Sequence, residues 1–302
     1  MSNKFKSGFV AIIGRPNVGK STLLNCLLGQ KIVIVSPKAQ TTRNMIQGIY
    51  TDDDAQIIFI DTPGIHNAKS ELGKVMNNFA ISSLDGVDLV CFMVEANKKA
   101  NELDKKIIQD VLKKKIPTLL VINKVDLVSS ENELMENINS YKELYEFNGG
   151  ITISASSNSK IDELLKMIKS YLPIGPMYYP EDQLLDQPMR FVASEIIREK
   201  ILMKTNEEVP HCVAVEIESF KQSPNNPDLT IINATIIVER ESQKKIIIGS
   251  KGSKIKEIGS LARREIADII GNKVYLELFV KVEPDWRNHK SQLKSLGYKL
   301  EE

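Results

Sequence analysis

The sequence predicts two domains: an α/β domain whose mainly parallel sheet carries helices on both faces, then a smaller α+β domain. Three observations carry this. Short Val- and Ile-rich runs alternate with helical patterns from Phe9 to about Leu172. The segment Pro173-Ile174-Gly175-Pro176-Met177-Tyr178-Tyr179-Pro180 then breaks the pattern. Beyond it the order changes to α-β-β-α-β. The domains are therefore expected at 1–172 and 183–302, with an extended linker over 173–182.

Strands are expected at Phe9–Ile13, Ile32–Val35, Met45–Tyr50, Ile57–Ile60, Leu89–Val94, Thr118–Ile122 and Ile151–Ser154, most of them short and bounded by Gly, Pro, Asn or Asp. Ile57–Ile60 is wholly apolar, as a central strand should be. Helical patterns lie between several of them, at Ser21–Leu28, Asn101–Lys114 and Lys160–Tyr171. In the second domain a helix over Met189–Met203 precedes strands near Cys212–Phe220 and Leu229–Glu239. A loop and helix over Gly249–Ile270 and a strand over Val274–Val282 follow. Arg287–Glu302 reads as a polar helical tail.

Composition narrows the class. The 302 residues are 42% hydrophobic and 26% charged with a net charge of +1, so any nucleic-acid surface must be a local patch. Cys26, Cys91 and Cys212 are far apart and form neither a metal cluster nor a disulfide framework, which fits a reducing cytoplasm. The start, Met1-Ser2-Asn3-Lys4-Phe5-Lys6, lacks an export signal's apolar stretch. No run approaches the roughly 18 apolar residues of a spanning helix.

Gly14-Arg15-Pro16-Asn17-Val18-Gly19-Lys20-Ser21 fits G-x-x-x-x-G-K-[ST] between a strand and a helix that continues through Thr22. Its glycines let backbone N–H groups wrap a phosphate, and the helix N-terminus adds positive charge. Lys20 can reach the β- and γ-phosphates, and the Ser21 hydroxyl can ligate Mg²⁺. Asp61-Thr62-Pro63-Gly64 follows the apolar strand. Asp61 is a candidate Mg²⁺ holder, and the Gly64 N–H a γ-phosphate contact. Alone this tetrapeptide would mean a turn; its place in the motif order makes it informative.

Asn123-Lys124-Val125-Asp126 decides the base. Guanine offers an N1–H and an N2 amino group to one carboxylate, whereas adenine would leave Asp126 unpaired. Asn123 is expected to tie this loop to the phosphate loop, and Lys124 to lay its stem over the base. The Ser154-Ala155 backbone is a candidate contact to the base oxygen. In Lys38-Ala39-Gln40-Thr41-Thr42-Arg43 a Thr hydroxyl is expected to complete the metal shell while the γ-phosphate is present, Thr42 being preferred and Thr41 the alternative. Metal ligands are thus expected at Ser21, Thr42 and Asp61.

This motif order resembles the GTPase superfamily, and Gln40–Arg43 together with the Gly14–Ser21 loop is similar to its ribosome-assembly branch. The resemblance implies binding and hydrolysis of GTP to GDP with Mg²⁺. Lys20, Asn17 and Thr42 are the candidate catalytic residues. Where Ras-like enzymes carry a water-orienting Gln this chain has Ile65, and His66 beside it is expected to be solvent-exposed. In related GTPases an Asn at the Asn17 position helps to hold K⁺, a second expected cation.

Ile248-Gly249-Ser250-Lys251-Gly252 contains G-x-x-G, followed at helical spacing by Ile255, Ile258, Leu261, Ala262, Ile266 and Ile269. Residues 244–264 hold seven Lys/Arg against Glu257, while 181–302 holds 19 basic and 20 acidic side chains, so the basic charge gathers around this loop. The segment resembles a KH domain, whose G-x-x-G loop clamps about four single-stranded nucleotides. RNA contacts are expected from Ile248, Gly249, Ser250, Lys251, Gly252 and Lys254, with an apolar groove beside the helix. Trp286 is expected to pack rather than stack on a base. The two domains in this order resemble a family of bacterial ribosome-assembly GTPases. That implies a monomer that binds small-subunit ribosomal RNA near its 3′ end and acts in assembly of the small subunit. It also implies a cytoplasmic location with peripheral contact to the inner face of the cell membrane.

Overall fold

The computed structural model describes residues 5–36, 38 and 40–298; the first four residues, Pro37, Ala39 and the end of the tail, 299–302, lie outside the described residues. Two compact units emerge. The first comprises residues up to Val33, Thr42–Ala68 and Gly73–Asp186; the second comprises Ile34–Thr41, Lys69–Leu72 and the chain from Gln187.

The first unit holds β1 (Lys6–Ile13), α1 (Lys20–Leu27), β2 (Ile46–Thr51), β3 (Ala55–Asp61), α2 (Glu71–Ser82), β4 (Leu89–Glu95), α3 (Glu102–Leu112), β5 (Thr118–Asn123), α4 (Glu131–Lys142), β6 (Gly149–Thr152) and α5 (Ile161–Tyr171), the first residues of α2 being grouped with the second unit. The sheet order is β2-β3-β1-β4-β5-β6, parallel except where β2 runs against β3. Every residue of β3, β4 and β5 is buried, the pattern of strands covered on both faces. Helices supply that cover by spacing: α5 buries Ile161, Leu164, Leu165 and Ile168, one stripe of a 3.6-residue helix. Asn101 caps α3 by accepting from the backbone of Leu103 and Asp104, while Asp104 answers to the Asn101 N–H. The parallel arrangement brings the C-terminal ends of β1, β3, β4 and β5 to one edge, where a ligand crevice forms in open α/β sheets.

The expected strand Ile32–Val35 is not one. Asn25 claims its backbone, accepting from Ile32 N and Val33 N and donating to the Val33 carbonyl, so no ladder can form. The Pro-rich stretch is no free linker either. Ser7 N bonds the Pro173 carbonyl, the Gln56 side chain bonds the backbone of Tyr178 and Tyr179, and Ile49 N bonds the Leu184 carbonyl, so the strap runs along the first unit as far as Asp186. Its prolines keep it extended, and the buried Gln56 supplies the donors and acceptors it needs.

The second unit holds α6 (Met189–Lys204), α7 (Val209–Cys212), β7 (Ala214–Ser223), β8 (Asn226–Val238), α8 (Glu241–Ile248), α9 (Ser253–Ile270), β9 (Lys273–Val282) and α10 (Lys290–Ser295). Its sheet is β7-β8-β9, with β8 and β9 parallel. Ile232, Ala234, Ile236 and Val238 of β8 are fully buried, as are Ile258 and Ala262 of α9. The expected α-β-β-α-β order missed α7 and α8. Helix α8 hides in sequence because its apolar end, Ile246–Ile248, is β-branched, a composition that speaks for strand rather than helix. Trp286 is fully buried, donates to the Cys212 carbonyl at 2.8 Å and stacks on Tyr298. No helix among the described residues is long and apolar enough to cross a membrane.

Candidate nucleotide site and RNA loop

The Gly14–Ser21 loop joins β1 to α1, so its backbone wraps the N-terminus of a helix. Gly19 has φ +104°, and a Cβ there would meet the Asn123 amide nitrogen at 2.4 Å, so only glycine fits. Asn123, at the end of β5, makes the expected tie: its Nδ2 donates to the Val18 carbonyl at 2.9 Å, and its Oδ1 accepts from Ala155 N at 2.9 Å. One side chain thereby joins three of the sequence motifs.

Lys20 is buried, its Nζ bonded to the carbonyls of Gly14 and Arg15. Ser21 Oγ donates to Asp61 Oδ2 at 2.7 Å and shares a hydrogen bond with Thr42 Oγ1 at 2.8 Å. The three expected metal ligands, from α1, β3 and the segment before β2, thus converge. Thr41 instead donates to the carbonyls of Ser36 and Lys38. Burial pushes the Asp61 carboxyl up to about 6, against the pull of Lys20, Ser21 and Thr42. Burial likewise brings the Lys20 ammonium down to about 8, with Asp61 opposing. Asp61 Oδ1 is buried without a hydrogen-bond partner.

Gly64 lies against the phosphate loop: a Cβ on it would stand 2.5 Å from Pro16 N, a backbone atom, so Asp61-Thr62-Pro63-Gly64 must pass as glycine there. Thr62 Oγ1 donates to the Ile12 carbonyl, and Ile65 N to the Gly14 carbonyl. The Ile65 side chain is buried in the core, so it cannot orient water. His66 is not the exposed residue expected: it is half-buried, with Nδ1 3.0 Å from the Gly64 carbonyl and its N–H on Asn77 Oδ1.

Other expectations shift in detail. The Arg15 side chain turns to α3, pairing with Asp104 at 3.0 Å, so only its backbone remains for a phosphate. Asn17 stands exposed with φ +66°, and its carbonyl accepts from Lys124 Nζ at 2.6 Å. Lys124 also pairs at 2.6 Å with Glu95, a residue the sequence reading missed. Burial works to raise the Glu95 carboxyl, but the bonds to Lys124 and Lys98 outweigh it and hold the group below its usual range. Its signal was its position, closing the apolar β4 one strand from β5. Asp126 is exposed and accepts from Ser154 Oγ at 2.5 Å; Val125 and Thr22 are half-buried, and Ala155 is buried.

In the second unit the turn Gly249-Ser250-Lys251-Gly252 joins α8 to α9. Positive φ at Gly249 (+71°), Lys251 (+49°) and Gly252 (+77°) makes the tight reversal. Ser250 and Lys251 are exposed; Ile248 and Lys254 flank them half-buried. Beside the turn, Ile255, Gly259, Ser260 and Arg263 of α9 face Leu276 and Leu278 of β9 across a groove of about 390 Å³. Gly259 keeps it open, since a Cβ there would stand 3.3 Å from Leu278. These groove residues were also missed, because nothing in the sequence announced which face of α9 β9 leaves uncovered.

The fold and site define a P-loop GTPase joined to a KH domain. Family models agree: one described as a 50S ribosome-binding GTPase matches residues 9–124, and one described as a KH domain matches 208–287. The chain belongs to the GTPase Era family: it is 53% identical to GTPase Era of Geobacter metallireducens over 98% of this chain and 99% of that protein, and 53% identical to that of Lacticaseibacillus paracasei over 97% and 96%. Among solved structures, an Era in complex with MgGDPNP and nucleotides 1506–1542 of 16S ribosomal RNA matches with a TM-score of 0.94 and 44% identity, covering 98% of this chain and all of that one. A variant of Aquifex aeolicus Era bound to GDP and AlF₄⁻ matches equally well. The protein is therefore a GTP hydrolase carrying an RNA-binding KH domain.

Proposed function

We propose that the chain grips the 3′ end of small-subunit ribosomal RNA through its KH groove, in the cytoplasm, and that GTP binding and hydrolysis set that grip during assembly of the small subunit. The observation that carries this is the full-length likeness to an Era holding both a GTP analogue and 16S RNA, with a basic Gly249–Gly252 turn and an apolar groove in this chain. One family model has a large-subunit description, but it covers only 9–124, so the full-length match weighs more.

The donor set suits Mg²⁺: two hydroxyls and a carboxylate converge, and the buried, unpartnered Asp61 Oδ1 is a hard oxygen of the kind this ion takes. Ser21, Asp61 and Thr42 would hold it, and it would supply charge neutralisation on the phosphates. Lys20, held by the Gly14 and Arg15 carbonyls, would neutralise the β- and γ-phosphates, and the backbone N–H groups of the loop would orient them. Asp126 selects guanine by accepting two hydrogen bonds, with Ser154 fixing the carboxylate. Because the Ile65 side chain is packed away, a K⁺ beside the exposed Asn17 is the reading that supplies the charge a side chain elsewhere would.

The test is single-turnover GTP hydrolysis with Mg²⁺, with and without an RNA carrying the small-subunit 3′ end. RNA is expected to speed turnover, and Gly249→Asp to remove that effect together with RNA binding. At Gly249 a side chain meets the left-handed backbone and Lys254 Cβ at 2.7 Å, and the added carboxylate repels phosphate. Turnover unmoved by a tightly bound RNA would overturn the coupling. Run in Na⁺ instead of K⁺, the same assay is expected to slow; equal rates would remove the monovalent ion from the mechanism.

A further inference from the structure

In the six-stranded sheet β2 and β6 are the outer strands, and the strap bonds only β2. In a strand, successive residues turn their backbone groups to opposite sides. Ile153 N donates to the Ile122 carbonyl at 2.8 Å, so Gly149, Ile151 and Ile153 face β5, and Gly150, Thr152 and Ser154 face outward. Both ends of this outer row are closed within the chain. The Tyr171 hydroxyl donates to the Asn148 carbonyl at 2.6 Å, and Ser154 exchanges two backbone bonds with Ser159. Between these ends the outward amides and carbonyls of Gly150 and Thr152 are open among the described residues. A groove of about 660 Å³ lies beside that window, between β6 and α4. Ile138, Tyr145 and Phe147 give it an apolar wall. Phe147 stacks on the buried Phe92 with ring centroids 6.1 Å apart, and Tyr145 meets Phe147 edge-on at 5.0 Å, so the wall is already fixed. Gly150 is exposed and leaves the floor bare: a Cβ there would meet nothing nearer than the Leu120 carbonyl at 3.4 Å. Lys142 and Lys160 stand on the rim with Glu146, and neither lysine is ion-paired among the described residues.

We propose that β6 and this groove are a docking site for an extended, acidic segment of a partner protein, which adds a strand at Gly150 and Thr152 and seats a large apolar side chain against Tyr145 and Phe147. Side chains of an added strand alternate, so every second one points to the α4 face and into the groove, while main-chain bonds supply affinity without regard to sequence. The rim selects the occupant: two lysines against one glutamate favour carboxylates flanking the seated residue. The same charge opposes a second copy of this chain, because a two-fold pairing of β6 with β6 would bring the basic rim to one seam twice. The strand has four residues, enough to pair a short guest segment. The groove holds none of the residues assigned above to nucleotide or RNA, so docking there leaves both sites free.

To test this, a random peptide library is displayed to the full GDP-bound chain, and the enriched peptides are synthesised and titrated. They are expected to alternate, with one large apolar residue and acidic residues on either side of it. Gly150→Leu fills the groove floor and should weaken them by about tenfold or more, the scale of one lost anchor. Lys142→Glu should weaken them by about threefold and flatten the salt dependence. GTP turnover without RNA should be unchanged in both variants, which reports an intact fold. Peptides N-methylated at alternate amides carry the test if the leucine variant does not fold: one methylated set should lose binding and the other keep it, because only one set faces β6. Peptides that bind Gly150→Leu equally well, peptides that tolerate both methylated sets, or a library that yields no binder would overturn the proposal. Self-association of the unaltered chain that Gly150→Leu abolishes would also overturn it, assigning the edge to a second copy.

Discussion

Replacing Lys20 with Met is expected to slow single-turnover GTP hydrolysis by about 10²–10³-fold, the scale seen when one preorganised charge donor is removed. The ammonium is buried beside Asp61, in a site where water cannot screen it, so its charge acts on the phosphates at low effective dielectric. Methionine keeps the length and packing of the stem and removes the charge alone. The affinity should show a pH signature as well. Burial has brought Lys20 down to about 8, so as pH rises through that value the unaltered, nucleotide-free protein loses its ammonium and with it GTP affinity. The Lys20→Met variant has no such proton to lose, and its affinity should be flat across the same window. Binding titrations at pH 7 and at pH 9 check the sign, and an equal decline in both proteins would show that another group governs it.

Asp126→Asn is expected to reverse the base preference. An amide cannot accept both guanine hydrogen bonds, but it can donate to the second keto group of xanthine. A site built to pair specific donors rejects a ligand that leaves its groups unpaired by about 10⁴-fold, and a loss of GTP affinity on that scale is expected alongside a gain for xanthosine triphosphate. The fold should survive, because Asp126 is exposed and its partner is the Ser154 hydroxyl, which can bond an amide as well. Competition binding with the two triphosphates decides it. Unchanged GTP affinity would mean that Asp126 does not touch the base.

The nucleotide site was legible in the sequence because its parts are short, contiguous and tied to strand ends. A buried strand such as β3 forces its last residue, Asp61, onto the ligand edge, so motif and position arrive together. What could not be read were contacts made by side chains far apart in the chain. Asn25 dissolving an Ile-Val run, Arg15 turning to Asp104 and Glu95 holding Lys124 all depend on packing that local propensity does not encode. Helix α8 shows the converse: Ile246–Ile248 prefers a strand, yet tertiary contact with β8 and α9 keeps it helical. The RNA turn was legible through its glycines and lysines, whereas the residues lining the groove expected beside it required knowing that β9 follows β8 in parallel.

The strap that runs to Asp186 has a consequence for how the chain keeps to itself. β2 is the outermost strand of its sheet, and outermost strands offer a row of open amides and carbonyls to any extended chain that drifts past. The strap takes up part of that row: Ile49 N donates to the Leu184 carbonyl and Asp186 N to the Gln47 carbonyl, with Leu185 opposite Gly48. The stretch that leads out of one unit is thus also a guard against edge-to-edge aggregation, carried within the same chain.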